Sequence, residues 1–261
     1  MNETPNTLSR PLILVSNDDG YSTSGIRTLI DIAKEFGEVV AVAPDSAQSG
    51  KSSSITLSTP LRATEREVGE GYRILSVNGT PTDCVKLACN DLVPRKPDLV
   101  LGGINHGYNT GNCTIYSGTM GVVFEGCLLQ IPSIGFSIGS HNLHEDLSHC
   151  VPYIRSVIKG VLQNGLPKGV CINVNFPTGE IKGLKVTKAC QGFWFDEFDK
   201  RIDPFNRTYY WMVGQYKNLD EGDPMGDITQ CEAGYGAVTP CRPDQTAYEA
   251  MPFVQKIIES I

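Results

Sequence analysis

The sequence predicts an α/β sandwich with a mostly parallel sheet, because short buried strands alternate with amphipathic helices as far as residue 177. Residues 12–15 form a continuously apolar run that ends in polar turn residues, which is typical of a buried strand. Residues 25–36 place their apolar side chains on one helical face, and Gly37 then ends the helix. Residues 38–43 are a second apolar strand. This unit of about 32 residues fits a right-handed crossover between parallel strands.

Further along, residues 55–61 and 72–77 alternate apolar and polar side chains, which predicts antiparallel strands. A helix is expected to begin at Pro81 with Thr80 as its N-cap, since both residue types favour those positions. The remaining alternation predicts strands at 98–102, 131–137 and 169–175, a loop rich in Gly and Asn at 103–116, and helices at 117–130 and 147–162.

The pattern changes after the fifth apolar strand. Residues 183–241 combine short strands, most of the aromatic bulk and long polar connections, and they include a strand candidate at 235–239. A short helix is expected around 254–260. We therefore predict one functional domain, with an α/β core at 1–180 and a β-rich extension at 181–261.

The charge balance excludes several kinds of partner. The 261 residues carry 22 Lys and Arg against 29 Asp and Glu, a net charge of −7. Nucleic-acid polymers and anionic membranes both require a basic surface, so we expect neither as a partner. No apolar run approaches the roughly 20 residues of a membrane span. Residues 1–11 are polar and the first apolar run is too short for an export signal, which predicts a cytoplasmic protein.

Motifs that are missing narrow the chemistry further. The nine cysteines include no C-x-x-C pair, so we expect buried reduced thiols rather than disulfides or a zinc site. The chain has no G-x-x-x-x-G-K-[ST] sequence, which excludes a P-loop NTPase.

Polar loops follow the first three predicted parallel strands, at 17–20, 45–50 and 105–117. Ligands of open α/β sheets bind beyond the carboxyl ends of the strands, so the three loops are expected to meet at one crevice. The adjacent carboxylates of Asp18 and Asp19 repel each other unless a cation neutralises them. Oxygen ligands suit Mg²⁺, Mn²⁺ or Ca²⁺, so the first loop predicts a site for one of these ions.

The second and third loops can supply the rest of such a site. The neutral oxygen ligands available there are Ser46, Ser49, Asn105 and Asn109, and their spacing does not choose among them. Ser117 is placed to cap the following helix, whose exposed amides and positive end favour a phosphate. Those amides belong to Gly118, Thr119 and Met120. A cation beside a phosphate cradle predicts phosphoryl chemistry, most simply hydrolysis by a metal-bound water.

The four histidines divide into two groups. His141, His144 and His149 cluster in a predicted loop and helix start, where we expect solvated surface residues. His106 lies inside the third loop and is the histidine placed to assist proton transfer or to contact phosphate. Its role is left open by the sequence.

Several segments together resemble one known family. They are 13–20 (ILVSNDDG), 42–45 (VAPD) with Ser49 and Gly50, 77–85 (VNGTPTDCV), 102–126 (GGINHGYNTGNCTIYSGTMGVVFEG), 172–177 (INVNFP) and 235–240 (YGAVTP). In this order they resemble the SurE survival-protein family of metal-dependent 5′/3′-nucleotidases. The longest and most specific match is 102–126.

The resemblance implies a Rossmann-like three-layer sandwich with a β-rich C-terminal extension that is used in oligomerisation, as a homodimer or homotetramer. It implies hydrolysis of nucleoside monophosphates to nucleoside and phosphate, with short-chain polyphosphate as a further substrate in some members. It also implies one divalent cation per subunit, Mg²⁺, Mn²⁺ or a similar ion.

The family's site residues carry over by motif position. The metal ligands fall on Asp18, Asp19, Ser49 and Asn105. The phosphate contacts fall near Asn17, Asn109, Ser117, Gly118 and Thr119. Asp18 and Asn105 form the implied catalytic set, with Asp18 activating or positioning the nucleophilic water. A covalent aspartyl-phosphate at Asp18 is the lesser alternative.

The chain departs from the family pattern at three places. Ser46-Ala47-Gln48 stands where members often carry basic residues, Met225-Gly226-Asp227 stands where Asp-Thr-Asp is common, and 190–200 is less basic than expected. Lys51 is the only basic residue near the second loop, so we expect the cation and backbone amides to capture the substrate.

Two other functions are compatible with parts of the sequence. A catalytically silent nucleotide-binding or oligomerisation protein would retain the loops without turnover. A receiver-like domain would need an acceptor aspartate at a later strand end, but the third predicted strand ends in Gly102 and Gly103.

Overall fold

A nine-stranded mixed sheet runs through the centre of the protein in a computed structural model that describes residues 10–259. The strands are β1 (Leu12–Ser16), β2 (Glu38–Pro44), β3 (Ala63–Gly69), β4 (Tyr72–Val77), β5 (Leu99–His106), β6 (Ser133–Ile138), β7 (Cys171–Phe176), β8 (Leu184–Val186), β9 (Gly192–Phe195), β10 (Phe198–Ile202), β11 (Thr208–Met212), β12 (Gln215–Asn218) and β13 (Gly236–Cys241). The helices are α1 (Ser24–Ala33), α2 (Pro81–Leu87), α3 (Gly118–Leu128), α4 (Val151–Asn164), α5 (Asp227–Glu232) and α6 (Met251–Ile258). The predictions that concern 1–9 and 260–261 lie outside the described residues.

The sheet order is β3-β4-β2-β1-β5-β6-β7-β13-β8. The six strands from β4 to β7 pair in parallel, while β3 and β13 run antiparallel to β4 and β7. The mostly parallel sheet predicted from the sequence is therefore confirmed. β1 lies between β2 and β5, so the carboxyl ends of these three strands meet at one edge of the sheet.

Helices cover both faces of the sheet, which explains why β1 is apolar at every position. Ile13 and Val15 pack in the cluster that includes α1 and α4. Leu12 and Leu14 pack in the cluster that includes α2 and α3. Because successive side chains of a strand point to opposite faces, a strand buried on both sides needs no polar alternation.

The largest difference from the sequence prediction lies at residues 55–61. No strand forms there, and Leu57 is 86% exposed. The hairpin partner of β4 is instead β3, which joins it through a turn at Gly71 with a φ of 75°. β3 is an exposed edge strand with the sequence ATEREVG, so no burial imposes the apolar alternation by which strands are recognised.

β5 continues four residues beyond its predicted end at residue 102. Its register shifts between Gly102 and Asn105, and the strand ends at His106. The Gly and Asn content of this segment resembles a loop, but pairing with β6 keeps the backbone extended. Asn105 and His106 therefore stand on a strand end rather than on a free loop. At the helices, α1 ends at Ala33 and α4 begins at Val151, which makes both shorter than predicted.

The C-terminal part contributes to the sheet and also leaves it. β8 and β13 extend the main sheet, whereas β9 pairs with β12 and β10 pairs with β11. We call the two-stranded projection formed by residues 192–218 the arm. Many of its apolar side chains are exposed, including Phe198, Trp211 and Met212. The division of the chain near residue 180 stays a prediction.

All nine cysteines are free thiols. Those that are buried are Cys84, Cys127, Cys150, Cys171, Cys190 and Cys231. The expectation of buried thiols therefore holds for these six, whereas Cys89, Cys113 and Cys241 are only half-buried. Within residues 10–259, no helix has the length and apolar character needed to cross a membrane.

Candidate active site

The turn after β1 presents the two aspartates. Asn17 is fully buried, and its Nδ2 donates to the carbonyl oxygen of Gly20 at 3.0 Å and to the hydroxyl of Thr23 at 3.2 Å. Its Oδ1 accepts the amide hydrogen of Gly20 at 3.2 Å. Asn17 therefore holds the shape of the turn with both of its polar atoms. A phosphate contact by Asn17 stays a prediction.

Asp18 is buried against the start of α3, with 4% of its surface exposed. Its carboxylate accepts hydrogen bonds from the hydroxyl and the backbone N–H of Thr119. Burial raises the pKa of Asp18 to about 6, and the charge of Asp19 adds to this rise. The hydrogen bonds from Thr119 oppose it without cancelling it. A cation beside this carboxylate would favour its ionised form.

Gly118 is in contact with the same carboxylate. A Cβ atom at position 118 would lie 2.7 Å from Cβ of Asp18 and 3.0 Å from its Oδ2. Residue 118 must therefore be glycine for Asp18 to reach the helix start. Ser117 caps α3 as predicted, since its hydroxyl accepts the amide hydrogen of Met120 at 3.0 Å. The start of α3, which the sequence predicts as a phosphate site, thus also holds the carboxylate of Asp18.

Asp19 connects the first loop to the third. Its Oδ2 lies 3.1 Å from Nδ1 of His106 and accepts the backbone N–H of the same residue at 3.3 Å. The side chain of His106 is only 1% exposed. Its Nε2 is buried and has no hydrogen-bond partner within the described part of the chain. His106 therefore fixes Asp19, and a part in proton transfer stays a prediction.

The second loop is tied to both others. The backbone N–H of Gln48 donates to the carbonyl oxygen of Asp18 at 2.7 Å. The hydroxyl of Ser52 donates to the carbonyl oxygen of Ile115 at 2.6 Å. The backbone N–H of Ser52 donates to the carbonyl oxygen of Tyr116 at 3.1 Å. The three loops therefore meet at one place, as the strand order predicts.

Of the two serines left open by spacing, Ser49 lines the cleft that these loops enclose. Ser46 is exposed, and its hydroxyl donates to Oδ1 of Asp45 at 3.1 Å, away from the cleft lining. The structure thus places Ser49, and not Ser46, beside Asp18 and Asn105.

Asn105 is oriented by one hydrogen bond. Its Nδ2 donates to the carbonyl oxygen of Gly107 at 2.8 Å. No donor within residues 10–259 contacts its Oδ1, so this oxygen is available as a ligand. Asn105 also lines the cleft with Asp18.

Asn109 is held by a network of buried polar side chains from the neighbouring strands. Its backbone N–H donates to Oδ1 of Asn175, and its Nδ2 donates to the hydroxyl of Ser137, both at 2.8 Å. Its carbonyl oxygen accepts from Nδ2 of Asn173 at 2.8 Å. No role for Ser137, Asn173 or Asn175 was predicted from the sequence. Asparagines at alternate positions of an otherwise apolar strand were the available signal.

The cleft itself has a volume of about 550 Å³. The residues contributed by β5 and by the loops after β1, β2 and β5 are Asp18, Ser49, Asn105, His106, Tyr108, Asn109, Tyr116 and Ser117. The loop after β6 contributes His141, and the arm contributes Trp194, Glu197, Met212 and Val213. No lysine or arginine is among the residues that line it. This agrees with the expectation that basic side chains do not capture the substrate.

The three histidines expected to form a solvated cluster agree with that prediction only in part. His141 and His144 are exposed, as predicted, but His141 also lines the cleft and packs against Gly107. His149 is half-buried, so the prediction of a solvated side chain is wrong for this residue. Its place beside the start of α4, which is packed on the sheet, accounts for the burial.

The donor set fits a hard divalent cation. Asp18, Asp19, Ser49 and Asn105 would contribute oxygen atoms only, which is the chemistry that Mg²⁺ and Mn²⁺ prefer. Within residues 10–259 no group of three or more His, Cys, Asp and Glu side chains is arranged to hold a metal. A cation here would depend on two carboxylates supplemented by a hydroxyl and an amide oxygen.

Fold and site together define a class of α/β proteins that place adjacent carboxylates, here Asp18 and Asp19, at the carboxyl ends of parallel strands. Within that class, the chain belongs to the SurE family, since the family described as Survival protein SurE matches residues 13–196. The resemblance seen in the sequence is thereby confirmed.

Individual relatives align over nearly the whole chain. A 5′-nucleotidase SurE from Christiangramia forsetii is 46% identical and covers 92% of this chain and 94% of its own. A second 5′-nucleotidase SurE, from Cytophaga hutchinsonii, is 44% identical, and the alignment covers 94% of this chain and 95% of that protein. The crystal structure of the SurE protein from Aquifex aeolicus has a TM-score of 0.81 at 34% identity, covering 95% of this chain and all of that one.

Proposed function

We propose that the chain is a divalent-metal-dependent 5′-nucleotidase, a phosphomonoesterase that hydrolyses nucleoside monophosphates to nucleoside and phosphate. The observation that carries this proposal is the position of Asp18, buried at the start of α3 in one cleft with Ser49 and Asn105. Relatives that align over nine-tenths of the chain and carry the name 5′-nucleotidase SurE support it.

One divalent cation per subunit, Mg²⁺ or Mn²⁺, would be held by Asp18, Asp19, Ser49 and Asn105. When bound, such an ion supplies Lewis acidity and lowers the pKa of a coordinated water. The fixed amide of Asn105 and the bond between Asp19 and His106 hold two of the ligands in place before an ion arrives.

The chain's own groups then bind and orient the phosphate ester. Asp18 positions the attacking water and accepts its proton, while the oxygen of that water bonds to phosphorus and the ester P–O bond breaks. The nucleoside leaves with a proton from solvent. The proposed phosphate contacts are Asn17, Asn109, Ser117, Gly118 and Thr119.

Phosphate release by metal-stripped protein tests this function. We expect hydrolysis of AMP and GMP to vanish in EDTA and to return with Mg²⁺ or Mn²⁺. Asp18→Asn should lower kcat by about a hundredfold or more. Asp31→Asn is the matched control, because it removes an equal charge from an exposed ion pair on α1. The panel includes 3′-AMP and tripolyphosphate to define the substrate range.

A wild-type chain that binds AMP without turnover, whichever metal is supplied, would contradict the proposal and favour a catalytically silent nucleotide-binding protein. Wild-type turnover by Asp18→Asn would contradict the role given to that carboxylate.

We further propose a cytoplasmic homodimer or homotetramer in which the β-rich extension forms contacts between subunits. The exposed apolar side chains of the arm support this assembly, because a monomer would leave them in water. Sedimentation velocity measures the state directly. A monomer at micromolar concentration would contradict the proposal.

A further inference from the structure

The arm reaches the cleft at the point where its strand pairing changes. Glu197 lies between β9 and β10, and Val213 lies opposite it, between β11 and β12. The backbone N–H of Val213 donates to the carbonyl oxygen of Glu197 at 2.8 Å. Both residues line the cleft, together with Met212 and Trp194. The arm therefore forms one wall of the cleft.

This wall is fixed to the loop that precedes α3. Nδ2 of Asn112 donates to the carbonyl oxygen of Gly192, the first residue of β9, at 2.7 Å. The ring of Trp194 packs edge-on against Tyr216, with 5.6 Å between their centroids. A Cβ atom at Gly214 would lie 3.4 Å from Cε3 of Trp194, so the backbone supports the indole from behind. The indole is held in place beside the cleft.

Glu197 is the carboxylate on this wall. It is exposed, and no hydrogen bond or ion pair engages its carboxylate within residues 10–259. No lysine or arginine lines the cleft to neutralise it. Its two oxygens are therefore available as acceptors for a molecule that enters the cleft.

We propose that Glu197 determines base specificity and selects guanine, an inference that rests on the proposed nucleotidase function. Guanine presents N1–H and the 2-amino group side by side, and these two donors match the two oxygens of one carboxylate. Hypoxanthine offers only N1–H on this edge, and adenine offers only its 6-amino group. Aromatic side chains such as Trp194 accept any base by stacking and so add no discrimination of their own.

The same carboxylate fixes the direction in which the nucleotide binds. Its negative charge repels the phosphate, whereas the cation site at Asp18 and Asp19 attracts it. A nucleotide whose base contacts Glu197 therefore places its phosphate ester beside Asp18 and Asp19.

Steady-state kinetics with GMP, IMP, AMP and p-nitrophenyl phosphate test the assignment. The wild type should favour GMP over IMP and IMP over AMP in kcat/KM. Glu197→Gln keeps the size but replaces one acceptor by a donor, so kcat/KM for GMP should fall roughly tenfold, mainly through KM. The values for p-nitrophenyl phosphate should not change, because that substrate has no base.

Asp196→Asn is the matched control. The substitution removes the same charge one residue away, at a position that does not line the cleft. Asparagine, like aspartate, tolerates the positive φ of 51° found there. It should leave all four substrates unchanged. An equal effect of Glu197→Gln on every substrate, or an unchanged ratio of GMP to AMP, would overturn the inference.

Failure of the proposed nucleotidase function can be distinguished from failure of the inference about Glu197. If the wild type hydrolyses none of the four esters with any metal, the nucleotidase proposal fails. Calorimetric titration of the wild type and Glu197→Gln with GMP and AMP then decides the inference by itself. Selective loss of GMP affinity supports it, and equal affinities in both proteins overturn it.

Discussion

His106 and Asp19 are paired across two loops, with 3.1 Å between Nδ1 of the imidazole and Oδ2 of the carboxylate. The pair joins the ends of β1 and β5, which are neighbours in the sheet. Because the histidine also offers its backbone N–H, Asp19 is held at one oxygen by two donors. The other oxygen remains for a cation.

Removing the imidazole should weaken metal binding rather than the chemical step. Groups that orient metal ligands typically contribute 10- to 100-fold in affinity, so we expect His106→Ala to raise the Mg²⁺ concentration needed for half-maximal activity by about that factor. The value of kcat at saturating Mg²⁺ should stay near that of the wild type. Titration calorimetry with Mg²⁺ gives an independent reading.

The exposed His144 supplies the control, since His144→Ala should leave both values unchanged. A large loss of kcat at saturating Mg²⁺ in His106→Ala would instead assign the imidazole to proton transfer.

A single methyl group at Gly118 should displace Asp18. Its Cβ would lie 2.7 Å from that of Asp18, and catalytic groups displaced by about 1 Å can lose on the order of a hundredfold in rate. We expect Gly118→Ala to lower kcat by that order while the protein stays folded.

Gly160→Ala is the matched substitution in α4, where nothing lies within 4 Å of the added carbon. It should stabilise the protein by about 0.5–1 kcal/mol in urea denaturation and leave kcat unchanged. Equal kinetics of the two variants would show that Asp18 tolerates the methyl group.

Asp83 should make stability depend on pH. Burial alone would raise its pKa, but hydrogen bonds from Thr56 and Thr80 outweigh burial and hold the pKa below the usual 3.8. A carboxylate whose pKa is lowered in the folded state stabilises that state above pH 3.8, and the contribution is lost as the pH falls through the lowered value.

Asp83→Asn should cost about 1 kcal/mol at pH 7, because it weakens the capping box of α2. The difference from the wild type should shrink between pH 5 and pH 3. Urea midpoints at each pH measure both quantities. A difference that stays constant down to pH 3 would contradict the argument.

Breaking the network around Asn109 should affect stability and activity together. Asn175→Leu removes the acceptor for the backbone N–H of Asn109 and leaves that group buried without a partner, which costs about 1–3 kcal/mol. We expect a lower urea midpoint and a raised KM for AMP. The exposed substitution Asn90→Leu should change neither by a comparable amount. An unchanged KM for AMP would show that Asn109 does not contribute to phosphate binding.

The parts of the fold that follow from local chemistry were predictable from the sequence. β1 is apolar throughout because both of its faces are buried, and Thr80 and Ser117 cap helices because their hydroxyls accept backbone amides. Strand order then brings three polar loops together. Edge strand β3 was not predicted because its side chains are mostly exposed and so show no apolar alternation, and the extension of β5 to His106 depends on pairing with β6.

The site was predictable only where the chain itself brings residues together. Asp18 and Asp19 are adjacent, and Ser117 precedes its helix. The pairing of Asp19 with His106 spans 87 residues, and the wall formed by Trp194 and Glu197 depends on an arm that leaves the sheet. Long-range contacts of this kind leave no periodic signal in the sequence.

The arm is attached through Asn112 to the loop before α3, whereas the proposed cation ligands stand at the carboxyl ends of β1, β2 and β5. The proposed cation site and the proposed base contact are therefore carried by separate stretches of the chain. Substitutions in residues 192–218 can change which nucleotide is accepted without altering the ligands that hold the ion. Within such a family, substrate range can diverge by replacing the arm while the sheet edge stays the same.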